Sequence, residues 1–483
     1  MFKHIKELGN DSVIYGLGSS LSQFIGLFLV PFYTKALTPS DYGLLAIVGL
    51  FTQFTNPIFS LGLDNALFRY FSLSKNAQEE KNYLTTAVLI RSLSASIFIV
   101  LIYFSYPLLN QYLFEEKLNY SIFLVVLVNI FFSSIGSISE VVIRVQRKPK
   151  VFVVIQLIVL VISLTLSIYW VLILEWGVYG ALLATMVGVI VRAIALSIYL
   201  RKYISYGNFS LRITKTLLAY ALPYIPHKLQ GQTMQMFSLF IVNEQMGIAI
   251  AGVYSVVNKF VKPIWLIVSS VQKAWVPYKF QLHKKIEDSR PVFRSISGNY
   301  WFSLVLVWCI SSLIFPSIFR VIINERYHLG LNYFPFLALI PIVQAFYFTV
   351  NTGIELRKSQ KILPIATFFG MMTVVSISLL TVKTIAPYGP ILAQSLSFFV
   401  IAMITLKYAR EVIRIDYPFL LVCIYLSISS VMIYINYYYD NILLTITLLL
   451  VSLAFYLCVI LKFNNYSLYE LTALVKTKFL NGK

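Results

Sequence analysis

Two lysines stand where hydrocarbon belongs. Lys228 lies about twelve residues into one long apolar run and Lys259 about ten into the next, near the middle of a helix rising 1.5 Å per residue. An ammonium at that depth costs roughly 2.5–3.5 kcal/mol on insertion scales, so it normally faces water or a partner. The neighbours point to water. Tyr220, Tyr224, His227, Gly231 and Gln235 recur at helical spacing beside Lys228, and Ser255, Asn258, Lys259 and Lys262 fall at i, i+3, i+4 and i+7. Earlier in the chain Tyr15, Ser19, Ser22 and Gln23, then Thr52, Gln53 and Asn56, give two more polar faces. No carboxylate occupies the middle of any run, so this chemistry favours an anion, phosphate most naturally, over a cation. Lys228, Lys259, Lys262 and Arg91 are the candidate charged ligands; Gln23, Asn56, Gln235 and Asn258 are candidate neutral hydrogen-bond partners. The competing reading for the basic residues is snorkelling to the surface, with equal claim for Arg91, about eight residues from an end. His227, Asp64, Arg69, Glu140 and Arg144 are candidate gating or coupling groups. For the charged ones at helix ends, with Glu355 and Arg357, structural ion pairing is the default expectation, as packing is for His227.

The elements that must position these residues are membrane helices. Of 483 residues 59% are hydrophobic and 12% charged, about half the usual charged fraction, and such a chain needs lipid as solvent. Apolar runs of about 20 residues predict helices, not barrel strands. Fourteen spans are predicted: 13–34, 42–63, 83–106, 120–142, 151–173, 177–200, 216–241, 249–271, 298–322, 334–354, 362–384, 389–408, 418–437 and 442–461. Placing both ends in the cytoplasm puts most of the 39 Lys and Arg residues on that side. The net charge of +20 is then a topology signal, and no nucleic-acid partner is expected. Residues 1–12 are expected to lie on the inner leaflet without a cleavable leader, and 462–483 to form a cytoplasmic tail. Cys309, Cys423 and Cys458 all sit in apolar runs, so no disulfide framework is expected.

The chain echoes itself six spans apart. Tyr179-Gly180 with Ala184 matches Tyr388-Gly389 with Ala393; Arg144 to Lys148 matches Arg357 to Lys361; Leu37 precedes Gly43 as Met246 precedes Gly252, by six residues. Six is even, so the halves share one orientation. The expected fold is all-α and polytopic: bundles over 13–200 and 216–408 joined by a linker at 201–215, related by an axis along the membrane normal around a cavity, with two extra helices at 418–461. No phosphate-cradling glycine loop and no metal-spaced His/Cys cluster occurs, and the outer loops are short, so an enzyme is disfavoured and no metal or cofactor is expected.

Particular residues resemble a known family. Val30-Pro-Phe-Tyr-Thr-Lys-Ala-Leu-Thr-Pro-Ser-Asp41-Tyr42-Gly43, Leu61-Gly62-Leu-Asp64-Asn-Ala-Leu-Phe-Arg69-Tyr70, and Leu222-Pro223-Tyr-Ile-Pro226 through Tyr254 are similar to bacterial polysaccharide-transport proteins of the O-antigen flippase type. These belong to the multidrug/oligosaccharidyl-lipid/polysaccharide exporter superfamily. The resemblance implies a flippase that moves undecaprenyl-diphosphate-linked oligosaccharide across the bacterial cytoplasmic membrane by alternating access. It also implies an H+ or Na+ gradient, with membrane lipid and other polysaccharide-assembly proteins as partners. A multidrug or cation exporter of the same fold and a glycan-assembly enzyme are the alternatives. Many relatives carry Asp-Arg on the seventh helix where this chain has Ser238-Leu239, which puts a borrowed coupling scheme in doubt.

Overall fold

The computed structural model describes residues 26–114, 118–146, 148–204, 209–285, 288–356 and 362–464. Every regular element in them is helical, as an apolar solvent requires: only a helix or a closed barrel satisfies its backbone groups without water. The helices form two compact units, one made of residues up to Lys259 with Val382–Pro387, the other of Phe260–Thr381 and Tyr388 onward.

In the first unit, α1 covers 26–36 and α2 Pro39–Phe59. Thr38 and Asp41 close a capping box at the start of α2, with Pro39 in its first turn, so a strong local signal fixes where this helix begins. It ends where Leu61 and Gly62 both take positive φ; α3 (Leu63–Ser72) then starts at once. A Cβ on Gly62 would meet the Ala221 carbonyl at 2.6 Å, so glycine is needed for contact as well as for angle. Next come α4 (Ala77–Phe104), α5 (Tyr106–Tyr112), α6 (Tyr120–Val145) and α7 (Pro149–Ile168), which runs on through a π turn to Ile173. Then follow α8 (Gly177–Leu200), α9 (Leu211–Ala221) and α10 (Tyr224–Met246). Helix α6 is the centre, packed between α4 and α8. Its Ile138, Val141 and Val142 join Leu63, Leu67 and Leu84 in a core that also takes in Leu217.

Helix α11 (Ile248–Lys285) begins in the first unit and continues in the second. The second unit adds α12 (Arg290–Ile322), short 3-10 turns over Glu325–Tyr333, α13 (Phe334–Val350), α14 (Thr352–Leu356) and α15 (Ile362–Ile385) as far as Thr381. It closes with α16 (Tyr388–Arg410), α17 (Phe419–Tyr439) and α18 (Ile442–Asn464). Helix α12 is its spine, packed on α13, α17 and α18. Fully buried Trp301 lies against Phe346, Tyr417 and Phe419.

Twelve helices among the described residues are long and apolar enough to cross a membrane. They match predicted spans two to six and eight to fourteen. Predicted span one lies partly outside the described residues, and span seven is interrupted. Leu222-Pro223 separates α9 from α10, and α10 carries His227, Lys228, Gln230, Gln232 and Gln235 in a helix too polar to count by apolarity. The gap of 26 residues between predicted spans 249–271 and 298–322 is corrected as well. Helix α11 runs to Lys285 and α12 starts at Arg290, because Trp275, Leu282 and Phe293 pack with Ile415 and keep the chain helical beyond the hydrocarbon window. The division between compact units falls at Lys259, inside α11. The three cysteines are free. The predicted inner-leaflet segment 1–12 and the tail beyond residue 464 lie outside the described residues.

Candidate functional site

The polar stripe on α11 is where its spacing places it. Ser255, Asn258, Lys259 and Lys262 are all half-buried, while Tyr254, Val256, Val257 and Val261 on the other faces are buried. Lys259 Nζ lies 3.8 Å from where a Cβ on Gly26 would stand, so the ammonium rests against the bare backbone of α1. Pro263, one turn on, cannot donate to the Lys259 carbonyl, which leaves that oxygen without its helical hydrogen bond. Pro57 does the same to the Gln53 carbonyl on α2, one turn from Asn56. Paired proline-freed carbonyls on the polar helices were a readable signal that spacing arguments passed over.

Asn56 and Gln235 are half-buried on α2 and α10, which pack together. Lys228 and His227 lie in the first turns of α10; their side chains are outside the described set, as is all of Gln23. Ser238 and Leu239, where relatives keep Asp-Arg, are both buried, and the Ser238 hydroxyl has no partner, so no acid–base pair exists at that place.

The candidate gating residues form two networks flanking α6. On one side Arg91 from α4 is fully enclosed: it donates to Asp64 Oδ1 at 2.5 Å, Ser137 Oγ at 2.7 Å and the Ser134 carbonyl at 2.9 Å. Arg69 lies over the Tyr220 ring at 5.0 Å. On the other side Arg192 from α8 crosses Gly136 and reaches Glu140 at 3.1 Å and Ser133 Oγ at 3.4 Å. Arg144 donates its Nε–H to the Glu140 carbonyl from an exposed position. The expectation that Arg91 serves as a substrate ligand is corrected for this conformation. Its terminal nitrogens are engaged by protein and none of its surface is free, so it clamps α3, α4 and α6.

In the second unit Lys279 on α11 pairs with Glu355 on α14, a residue expected to be ion-paired. Its partner was hidden because Lys279 falls in a stretch that reads as loop. Among the described residues no group of His, Cys, Asp and Glu could hold a metal ion.

The glycines of the internal echo have matching roles. Gly43 and Gly252 meet: a Cβ on Gly43 would lie 2.0 Å from the Ile248 carbonyl, and one on Gly252 1.9 Å from the Pro39 carbonyl. Gly180 and Gly389 each open a helix pressed against the end of the preceding one, at Trp170 and at Thr381.

A family model described as "Polysaccharide biosynthesis protein" matches residues 34–294, more than half of the chain. The chain belongs to that family. No curated protein matches it in sequence. Among solved structures, this member of the polysaccharide biosynthesis family is similar to the lipid II flippase MurJ in an inward closed conformation. The TM-score is 0.75 at 14% identity, over 94% of this chain and 99% of that one. It is also similar to an inward-facing multidrug resistance MATE transporter of the MOP superfamily, with TM-score 0.65 at 13% identity over 80% of this chain and 94% of the other. A MOP superfamily transporter from Pyrococcus furiosus, described as having a binding pocket of reversed polarity, gives 0.54 at 15% identity over 84% and 95%. The family member is therefore a multi-pass membrane protein with the MurJ/MATE fold.

Proposed function

We propose that this protein translocates a polyprenyl-diphosphate-linked oligosaccharide from the inner to the outer leaflet of the bacterial cytoplasmic membrane by alternating access, as a transporter and not an enzyme. The observation that carries the reading is the sign of the charge on the polar helices. Asp64, Glu140 and Glu355 are taken by Arg91, Arg192 and Lys279, while the sequences of α10 and α11 carry Lys228, Lys259 and Lys262, with no carboxylate at the helical spacings around them. A diphosphate matches that charge; a lipophilic cation does not. Gln235, Asn258 and Asn56 supply uncharged donors and acceptors suited to sugar hydroxyls, and the polyprenyl tail stays in lipid. The family match and the likeness to a lipid II flippase support the same substrate class. Both termini on the cytoplasmic side follow from the distribution of Lys and Arg.

The test is surface-glycan export in cells carrying Lys228→Gln together with Lys259→Gln. Export is expected to fall below detection with the protein still in the membrane; unchanged export removes these lysines from the mechanism. The likeness to MATE transporters gives a second reading, efflux of cationic compounds. It predicts dye efflux by the wild type, which the proposed function does not.

A further inference from the structure

Of the ion pairs whose two partners are both described, Lys279–Glu355 differs in kind from the others. Asp64, Glu140, Asp288 and Asp440 are paired to arginines, whose guanidinium keeps its proton under any physiological condition. Glu355 is paired to a lysine. That lysine is 1% exposed, whereas the Glu355 side chain is 24% exposed and stands just before the basic segment 357–361. The buried base is locked in and the acid is reachable.

The neighbour of Glu355 sharpens the point. Asn351 Nδ2 donates to Glu355 Oε1 at 2.7 Å, yet Asn351 Oδ1, on the same amide, is buried and accepts nothing. With the carboxylate ionised the amide is half satisfied. Add a proton to Oε2 and the new O–H can donate to Asn351 Oδ1 while Nδ2 still donates to Oε1, a reciprocal acid–amide pair. The orphaned acceptor is complementary to the protonated acid.

We infer that Glu355 with Asn351 is a proton-binding site, and that loading it releases Lys279. This rests on the transport reading above and assigns its coupling ion. The step is balanced: a hydronium ion loses one proton, its O–H bond breaking as an O–H bond forms on Glu355, the ion pair to Lys279 opens, and the site gains one positive charge. Lys279, still an ammonium, is left enclosed without a counter-charge, and the unfavourable burial is relieved when α11 moves off α14. Other titratable groups stand on the surrounding elements: Glu411, Arg414 and Asp416 are exposed on the segment after α16 that packs here through Ile413 and Ile415, and Lys273 is exposed on α11. Tyr347 on α13 lies close enough to feel the Glu355 charge, and Tyr417 donates to the Thr349 carbonyl. Arg410 ends α16 in an exposed position, His283 bonds with Ser289, and Arg294 lies over Phe463. Among the described residues none of these is paired with Lys279.

The site carries its own reporter. Trp275 is one turn from Lys279 on α11, and its indole N–H donates to Thr352 Oγ1 at 3.2 Å, across the same seam. In purified full-length protein in lipid nanodiscs, the difference in tryptophan emission between wild type and Trp275→Phe is followed on acidification. A titration step is expected. Glu355→Gln, an amide that mimics the protonated acid, should abolish it and fix the signal at its acidic value. Lys279→Arg, whose fork holds the carboxylate more firmly, should move the step to lower pH, as should Asn351→Ala, which removes the acceptor. A step that persists in Glu355→Gln, or no step in wild type, overturns the assignment. Glycan export is scored separately: wild type that exports without a step sinks the proton site alone, and a step without export sinks the transport reading.

Discussion

Arg91 illustrates how an arginine on a membrane helix is made tolerable. Its guanidinium is enclosed because Asp64, Ser137 and the Ser134 carbonyl replace water, and the charge is offset within the first unit. Asp64→Asn would leave that cation buried and uncompensated, and removing one partner of such a pair costs about 3 kcal/mol. The expected outcome is a lower thermal unfolding midpoint in detergent, with a smaller effect for Arg144→Gln, whose partner is an exposed carbonyl contact. Some of this was legible beforehand: the spacing of Ser255, Asn258, Lys259 and Lys262 marks a polar stripe whatever the fold. The pairing of Asp64 with Arg91, 27 residues apart, was not, because a tertiary contact leaves no periodicity. Lys279 was missed for a related reason, since a lysine in a basic, weakly apolar stretch looks the same in a loop as on a buried helix face.

Among elements, the crossing of α2 with the start of α11 is the tightest requirement on sequence. Two glycines allow the backbones to touch, and a side chain at either meets a carbonyl at about van der Waals overlap. Gly43→Leu should therefore destabilise the fold by about 1–3 kcal/mol through overpacking. Gly49→Ala on the same helix has open space around its Cβ and should be neutral or slightly stabilising, since alanine is the better helix former. Thermal denaturation of the two variants side by side separates close approach from helix propensity. Helix existence was readable for the twelve membrane-length apolar helices among the described residues, where the apolar window is a strong signal. Helix ends were not: α11 and α12 continue past their apolar windows on a half-apolar face anchored by Trp275, Leu282 and Phe293, and a hydropathy window averages that face away.

At the scale of the whole chain, charge and repeat carry separate information. The bias of Lys and Arg predicts an orientation, and cysteine labelling checks it. Ser74→Cys, in the turn between α3 and α4, should react with a membrane-impermeant maleimide only after permeabilisation, while Asn441→Cys, between α17 and α18, should react on intact cells. The opposite pattern would invert the topology. The echo is a sequence expectation, and two of its matching glycines, Gly43 and Gly252, meet within the first unit.

Helix α11 counts 38 residues, about 57 Å at 1.5 Å each, nearly twice the roughly 30 Å of bilayer hydrocarbon. The same helix carries Gly252 near its start, Lys259 and Lys262 further along and Lys279 near its end. If the proposed proton site holds, an antibody or crosslink that pins Lys279 to Glu355 is expected to stop export while leaving the polar residues of the other unit untouched.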